Sequence, residues 1–309
     1  MRRAEYENAS ILHYDARRRV GKRTCAALGE LGFRRIENVD NADTLAKLMR
    51  SRQFDLAVYG NDAAAAGSLE SIRQTRHYDK SSDPYTPMIL MTWNAASEVV
   101  RKALNTGTDQ LLLWPFSTRQ IGARVEALIT ARKPFIETED YLGPERRDPT
   151  ARRLYSKSIE VPNALRAKVQ RRPDLAPGIE AIQAARASLE RIKMGNIANR
   201  ICAAAKMLRR HGENIGFLQD LAVDELASIQ KSLGVIRKAL EVLQQDHKQS
   251  FCDAVDRLAI QLSHSAPVLD LKGLALLEQA AMALRVAIDM EATPTKNTAP
   301  ATAGTSTVS

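Results

Sequence analysis

Between residues 10 and 131 the chain alternates short apolar runs with longer stretches whose apolar residues recur every three or four positions. Short apolar runs bounded by turn residues predict buried strands, and the longer recurrence predicts amphipathic helices. "ILHY" (11–14) reads as a first strand ending at Asp15. "VGKRTCAALGELGF" (20–33) follows, with Val20, Cys25, Leu28 and Leu31 at helical spacing and Gly32 near its end. Glycine there supplies the left-handed residue that closes a helix. The same alternation gives strands at "RIENVD", "DLAVYG" (55–60), "PMILMT" (87–92) and "DQLLLW" (109–114). Helices are predicted at "ADTLAKLMRSR", "GSLESIRQTRH", "ASEVVRKALNTG" and "STRQIGARVEALITAR". Five strand–helix units in strict alternation predict a five-stranded parallel sheet covered on both faces, the doubly wound flavodoxin-like α/β fold. Sites in that fold lie at the carboxyl ends of the strands.

After residue 131 the pattern changes. Residues 132–177 lose the periodicity, and "DYLGPERRDPTARR" and "RRPDLAPG" mark a basic Pro/Gly/Arg linker. Residues 178–291 are helical in pattern throughout and predict an all-α bundle. Its sharpest row is Leu226, Ile229, Leu233, Ile236, Leu240 and Leu243, stepping 3, 4, 3, 4, 3, which are a and d positions of a heptad. Ile179, Ile182, Leu189 and Ile192 begin an earlier stripe, and Leu274, Leu277, Ala281, Leu284 and Ile288 form a later one. Three such helices make a bundle, and the heptad row serves either as its core or as a seam between two copies of the chain. Residues 292–309 are poor in large apolar side chains and read as a disordered tail.

Composition narrows the function classes. The net charge is +9, and in 132–176 alone 11 Lys or Arg meet 7 Asp or Glu. No aromatic residues interleave that stretch in a nucleic-acid-binding pattern, so the charge reads as a solvated connector and nucleic acid is not an expected partner. Cys25, Cys202 and Cys252 lie far apart without CxxC spacing, the usage of reduced thiols in a cytoplasmic protein. There is no run of 18 apolar residues, so no membrane insertion is expected. HExxH, paired Cys/His spacing and GxSxG are all missing, which argues for no metal, no cofactor and no enzyme activity. His211 and His264 read as helix-end residues, and His247 falls on the heptad row.

In order along the chain, "ILHYDA", "FDLAVYGND", "PMILMT" and "DQLLLWPF" resemble the strand-end motifs of receiver domains of bacterial two-component response regulators. "RKPFIETEDYLGPERRD" resembles the tail of a subgroup in which the receiver is followed by DYxGPxRR. The resemblance covers residues 10–131 and extends into the linker, while the helical remainder resembles no family. It implies a place in phosphorelay signalling and a site where an aspartate attacks a phosphoryl donor beside magnesium.

Carried over by position, that apparatus is degenerate. The phosphoacceptor position is Gly60, and of the acidic pair Asp15 stands beside Ala16. Thr92 is retained, the lysine position is Trp114 followed by Pro115, and the switch aromatic is Leu111. Trp93 and Trp114 both fall at strand ends around the former pocket and are expected to plug it. The resemblance thus implies a non-catalytic pseudo-receiver adapter that binds a histidine kinase, a phosphotransfer protein or another response regulator. Its partner face would run from Ala95 to Ala131 and include Glu98, Arg101, Lys102, Leu111, Arg119 and Arg124. Two alternatives stay open: a phosphorylatable regulator using Asp62 as a substitute carboxylate, and a basic nucleic-acid-binding output protein.

Overall fold

The computed structural model of the chain describes residues 5–61, 67–77, 81–146, 157–212, 219–264 and 270–290. Its first part is the expected α/β fold. Strands β1 (Ser10–Tyr14), β2 (Arg35–Val39), β3 (Leu56–Asn61), β4 (Met88–Thr92) and β5 (Gln110–Leu113) form one sheet in the order β2-β1-β3-β4-β5. All four pairings are parallel. Between and after them run α1 (Arg18–Leu31), α2 (Ala42–Ser51), α3 (Gly67–Arg76), α4 (Ser97–Leu104) and α5 (Thr118–Thr130).

Two buried clusters show why the strands read as continuous apolar runs. Successive side chains of a strand point to opposite faces. Ile11, Val58, Ile89, Met91 and Leu112 therefore meet Leu28 of α1 and Ile121, Val125 and Leu128 of α5. Their neighbours Leu12, Tyr14, Ala57, Tyr59 and Leu90 meet Leu45, Met49, Ile72 and Ala103 of α2, α3 and α4. A sheet buried on both faces requires apolar residues at every strand position, and these strands supply them.

The region expected as a linker holds structure where it is described. Phe135–Glu137 (β6) and Leu142–Pro144 (β7) form an antiparallel hairpin, and Phe135 also bridges to Ile159. A short helix, α6 (Ala164–Val169), places Leu165 in the core beneath α5. What anchors the hairpin is a set of groups far apart in sequence. Asp109, at the N-terminal edge of β5, is buried and accepts from Arg76 Nη2 at 2.9 Å, Arg132 Nε at 2.7 Å and the Met88 amide at 2.8 Å. Arg76 also donates to the carbonyls of Pro84, Thr86 and Gly107, and Arg132 to those of Tyr85 and Pro162. Both guanidinium groups lie over the Phe135 ring, 5.1 and 4.8 Å from its centroid. Arg146 of the GPERR stretch donates to the Thr108 carbonyl. Pro, Gly and clustered charge made this region read as a connector, because the partners of its arginines and of Phe135 lie elsewhere in the chain. Nearby Asp83 is buried, which pushes its carboxyl up to about 6.

The helical half contains, among the described residues, α7 (Ile179–Gly212), α8 (Gln219–Val242), α9 (Gln249–His264) and α10 (Leu271–Asp289). The three stripes expected from the sequence lie on α7, α8 and α10, and α9 is an additional helix. Backbone proximity divides the chain into two compact units, residues 1–197 with 235–245 and residues 198–234 with 246–309. Within the first unit, Ala185 and Leu189 of α7 pack with Tyr85 and Phe135. Lys193 of the same helix bonds Glu137 of β6 at 2.7 Å. Within the second, Arg209 pairs with Glu278 at 2.9 Å, and the Cys202 thiol donates to the Ala281 carbonyl.

The heptad row lies on α8. Leu226, Ile229, Leu233, Ile236 and Leu240 are all buried within the single chain, and Leu243 is half-buried. His247, expected on this row, sits exposed in a short 3-10 turn after α8. His211 and His264 fall at the ends of α7 and α9, as expected. No helix among the described residues is long and apolar enough to cross a membrane. The expected tail at 292–309 lies outside the described residues.

Candidate functional site

The sheet register brings the candidate residues to one edge. Tyr14 pairs with Tyr59, Asn61 with Thr92, and Thr92 with Leu113. The carboxyl ends of β1, β3, β4 and β5 thus deliver Asp15, Gly60, Thr92, Trp93 and Trp114 to a common mouth.

At Gly60 the missing side chain is matched by a neighbour's presence. A Cβ built on Gly60 would lie 2.0 Å from Asp15 Oδ2 and 2.4 Å from its Cγ. Real atoms do not approach so closely, so the volume that an acidic side chain at position 60 would need is filled by Asp15. The Gly60 carbonyl accepts from the Ser68 hydroxyl at 2.5 Å, which fixes the end of β3 to α3.

Asp15 is itself fully engaged. Its Oδ1 accepts from the Arg17 backbone amide at 2.9 Å and from Arg17 Nε at 3.0 Å. Its Oδ2 accepts from Arg17 Nη2 at 3.1 Å. This is the two-pronged guanidinium–carboxylate pairing, the strongest geometry such a pair adopts. Asp15 is buried, so the pair works in a medium less screening than water.

The guanidinium also begins an aromatic ladder. Arg17 Cζ lies 4.9 Å from the Trp93 ring centroid. Trp93 stacks on Trp114 at 4.8 Å with planes 10° apart, and Trp114 meets Phe116 at 4.8 Å with a 59° tilt. A cation over an indole face and stacked rings are each attractive beyond the area they bury. Trp114 is half-buried, its Nε1 has no hydrogen-bond partner among the described residues, and the Trp114–Pro115 peptide is cis. Trp93 keeps 46% of its surface exposed and covers the mouth from the β4 side. The two tryptophans stack on each other rather than under separate loops.

Thr92 is buried, and its hydroxyl accepts from the Asn94 amide at 3.3 Å. Leu111 is half-buried against the α2–α4 side of the sheet. Ala16 is exposed and offers no donor. Asp62 lies outside the described residues. Of the partner-face residues, Glu98, Arg101, Lys102, Arg119 and Arg124 are exposed. Lys102 pairs with Glu98 at 2.8 Å, one turn apart on α4, and Arg124 donates to Gln110 Oε1 at 3.4 Å. His13 is buried in β1 with its Nδ1 2.7 Å from Asn38 Oδ1, and burial lowers its pKa.

Arg17 was not singled out from the sequence. The signal lay in its distance from Asp15, two residues along, where an arginine can fold back onto the carboxylate at the strand end.

The divalent cation that the motifs imply does not fit the residues present. Both Asp15 oxygens are taken by Arg17, and neither Ala16 nor Gly60 has a carboxylate. A second cation there would meet a guanidinium at contact range, a like-charge encounter in a partly buried place. Among the described residues no group of three or more His, Cys, Asp or Glu side chains comes together as a metal donor set.

Solved structures similar to this chain include the receiver domain of a Francisella response regulator, at 18% identity and a TM-score of 0.34. That match covers 38% of this chain and 94% of the other. A chemotaxis response regulator of Vibrio cholerae matches at 18% identity and TM-score 0.34, over 38% of this chain and 96% of the other. The non-phosphorylated HemR receiver domain from Leptospira biflexa matches at 18% and 0.35, over 41% and 98%. The likeness is one of fold over the N-terminal two fifths, and the helical half is unmatched. No model of a known protein family matches the chain, and neither does any curated protein.

Proposed function

We propose that the N-terminal domain is a pseudo-receiver, which binds signalling proteins of a two-component pathway and is not itself phosphorylated. The observation that carries this reading is the filled volume at Gly60, where Asp15 occupies the place of the absent phosphoacceptor. Phosphoryl transfer depends on positioning and on charge stabilisation at the reacting oxygens. Here the acceptor is missing, the remaining carboxylate is held by Arg17, and an indole stands where the resemblance implies a lysine. The output is then a surface rather than a reaction. The exposed charges of α4 and α5, Arg101, Lys102, Arg119 and Arg124 with Glu98, form the proposed partner face, which a histidine kinase or phosphotransfer protein would meet.

Two measurements test this. Incubation of the full chain with labelled acetyl phosphate and magnesium should leave no acid-labile phosphate on the protein. Stoichiometric labelling lost in Asp62→Asn would overturn the reading. Reversing charge at Arg101→Glu together with Arg124→Glu should weaken kinase or phosphotransfer-protein binding at least several-fold with the circular dichroism unchanged. Rim charges act mainly through encounter, so the loss should shrink at high salt. Unchanged binding at low salt would remove this face from the proposal.

A further inference from the structure

The Asp15–Arg17 pair and the aromatic ladder lead beyond the missing phosphoacceptor. A buried carboxylate at a strand end is costly unless a cation and hydrogen bonds compensate it. The chain supplies both from a single residue, since the Arg17 backbone amide and two guanidinium nitrogens account for three contacts to Asp15. The same guanidinium lies over Trp93, which stacks on Trp114. One planar cation thus links the ends of β1, β4 and β5, whereas a lysine ammonium could offer neither the fork nor the flat face.

We infer that Arg17 is the resident cation of this site: it neutralises Asp15 in place of a divalent metal and fastens Trp93 and Trp114 over the mouth. The inference rests on the reading of the site as self-occupied and adds its consequence. Strand ends that in the resembled family respond to metal and phosphate are joined here by a covalently built-in charge. The link continues to the proposed partner face, because Trp93 and Trp114 stand at the start of the short turns that lead into α4 and α5. That face is accordingly set in one arrangement without any ligand, and magnesium has no purchase on it.

The test is chemical rescue in the full chain, read by tryptophan emission, since Trp93 and Trp114 are the only tryptophans in the sequence. Wild-type emission and melting temperature should not respond to millimolar magnesium chloride. Arg17→Ala should shift the emission as the stack loosens, and methylguanidinium should restore at least half of that shift, while methylammonium should not. Arg17→Lys, which keeps the charge, should resemble Arg17→Ala in emission and should serve in its place should Arg17→Ala fail to fold. Saturable quenching of the wild type by magnesium would overturn the inference, as would wild-type emission in both variants. Rescue by methylammonium equal to that by methylguanidinium would also overturn it, since charge alone would then suffice. Phosphate incorporation by the wild type strikes the proposed function instead, so the two failures are told apart.

Discussion

Replacing Gly60 with alanine is expected to cost about 3 kcal/mol of stability, far more than one methyl group ordinarily costs. Overpacking a well-filled interior costs about 1–3 kcal/mol when neighbours can shift. Here the neighbour is a carboxylate that can make room only by leaving Arg17, and breaking a buried ion pair costs up to about 3–5 kcal/mol. Arg17 keeps 26% side-chain exposure, so water recovers part of that loss and the lower end applies. For a unit of this size the melting temperature should fall by roughly 10 °C. The diagnostic is a double-mutant cycle. Asp15→Ala removes Oδ2 and Cγ, the two atoms closest to the new Cβ, and leaves only its own Cβ at 2.9 Å, so Gly60→Ala should cost less in that background, with a coupling of about 1–3 kcal/mol. Additive and small effects would show that Asp15 does not occupy the volume beside Gly60.

Asp109→Ala should be comparably severe, at about 3–5 kcal/mol, although it lies at the opposite edge of the sheet. Its carboxylate neutralises Arg76 and Arg132 together, and both side chains are nearly inaccessible. Removing it leaves two buried guanidinium groups without their counter-charge, and burial already pulls the Arg76 pKa down against the opposing pull of Asp109. Asp109→Asn should recover part of the loss by keeping an acceptor for the Met88 amide. Hydrogen exchange should localise the effect to β6 and β7, because Arg132 and Arg76 also hold the Phe135 ring. A loss below about 1 kcal/mol would place Asp109 among ordinary surface charges.

Legibility in the sequence followed the range of the interaction. The strands and helices of the sheet domain were readable because each is announced by local periodicity, and doubly buried strands leave no polar alternation to confuse the pattern. Gly60, Trp93 and Trp114 were readable as departures from a motif. Arg17 was not, because it stands in a run with Arg18 and Arg19, and only the turn after β1 decides which of the three meets Asp15. The hairpin was missed for a similar reason: Arg76, Asp109 and Arg132 are 33 and 23 residues apart, and their charges pair only after the sheet has formed. The heptad row of α8 was visible as a hydrophobic seam, but a 3–4 spacing describes a face without naming what covers it. In this chain Leu226, Ile229, Leu233, Ile236 and Leu240 are buried.

The most direct test of a closed, non-switching site is a titration of the full chain with beryllofluoride and magnesium, following emission from Trp93 and Trp114. Beryllofluoride mimics an aspartyl phosphate only where a free carboxylate and a metal site converge. With Asp15 held by Arg17 and no side chain at Gly60, no saturable change is expected, while the protein remains folded by circular dichroism. A saturable change abolished by Asp62→Asn would contradict this, placing a working switch two residues beyond the glycine.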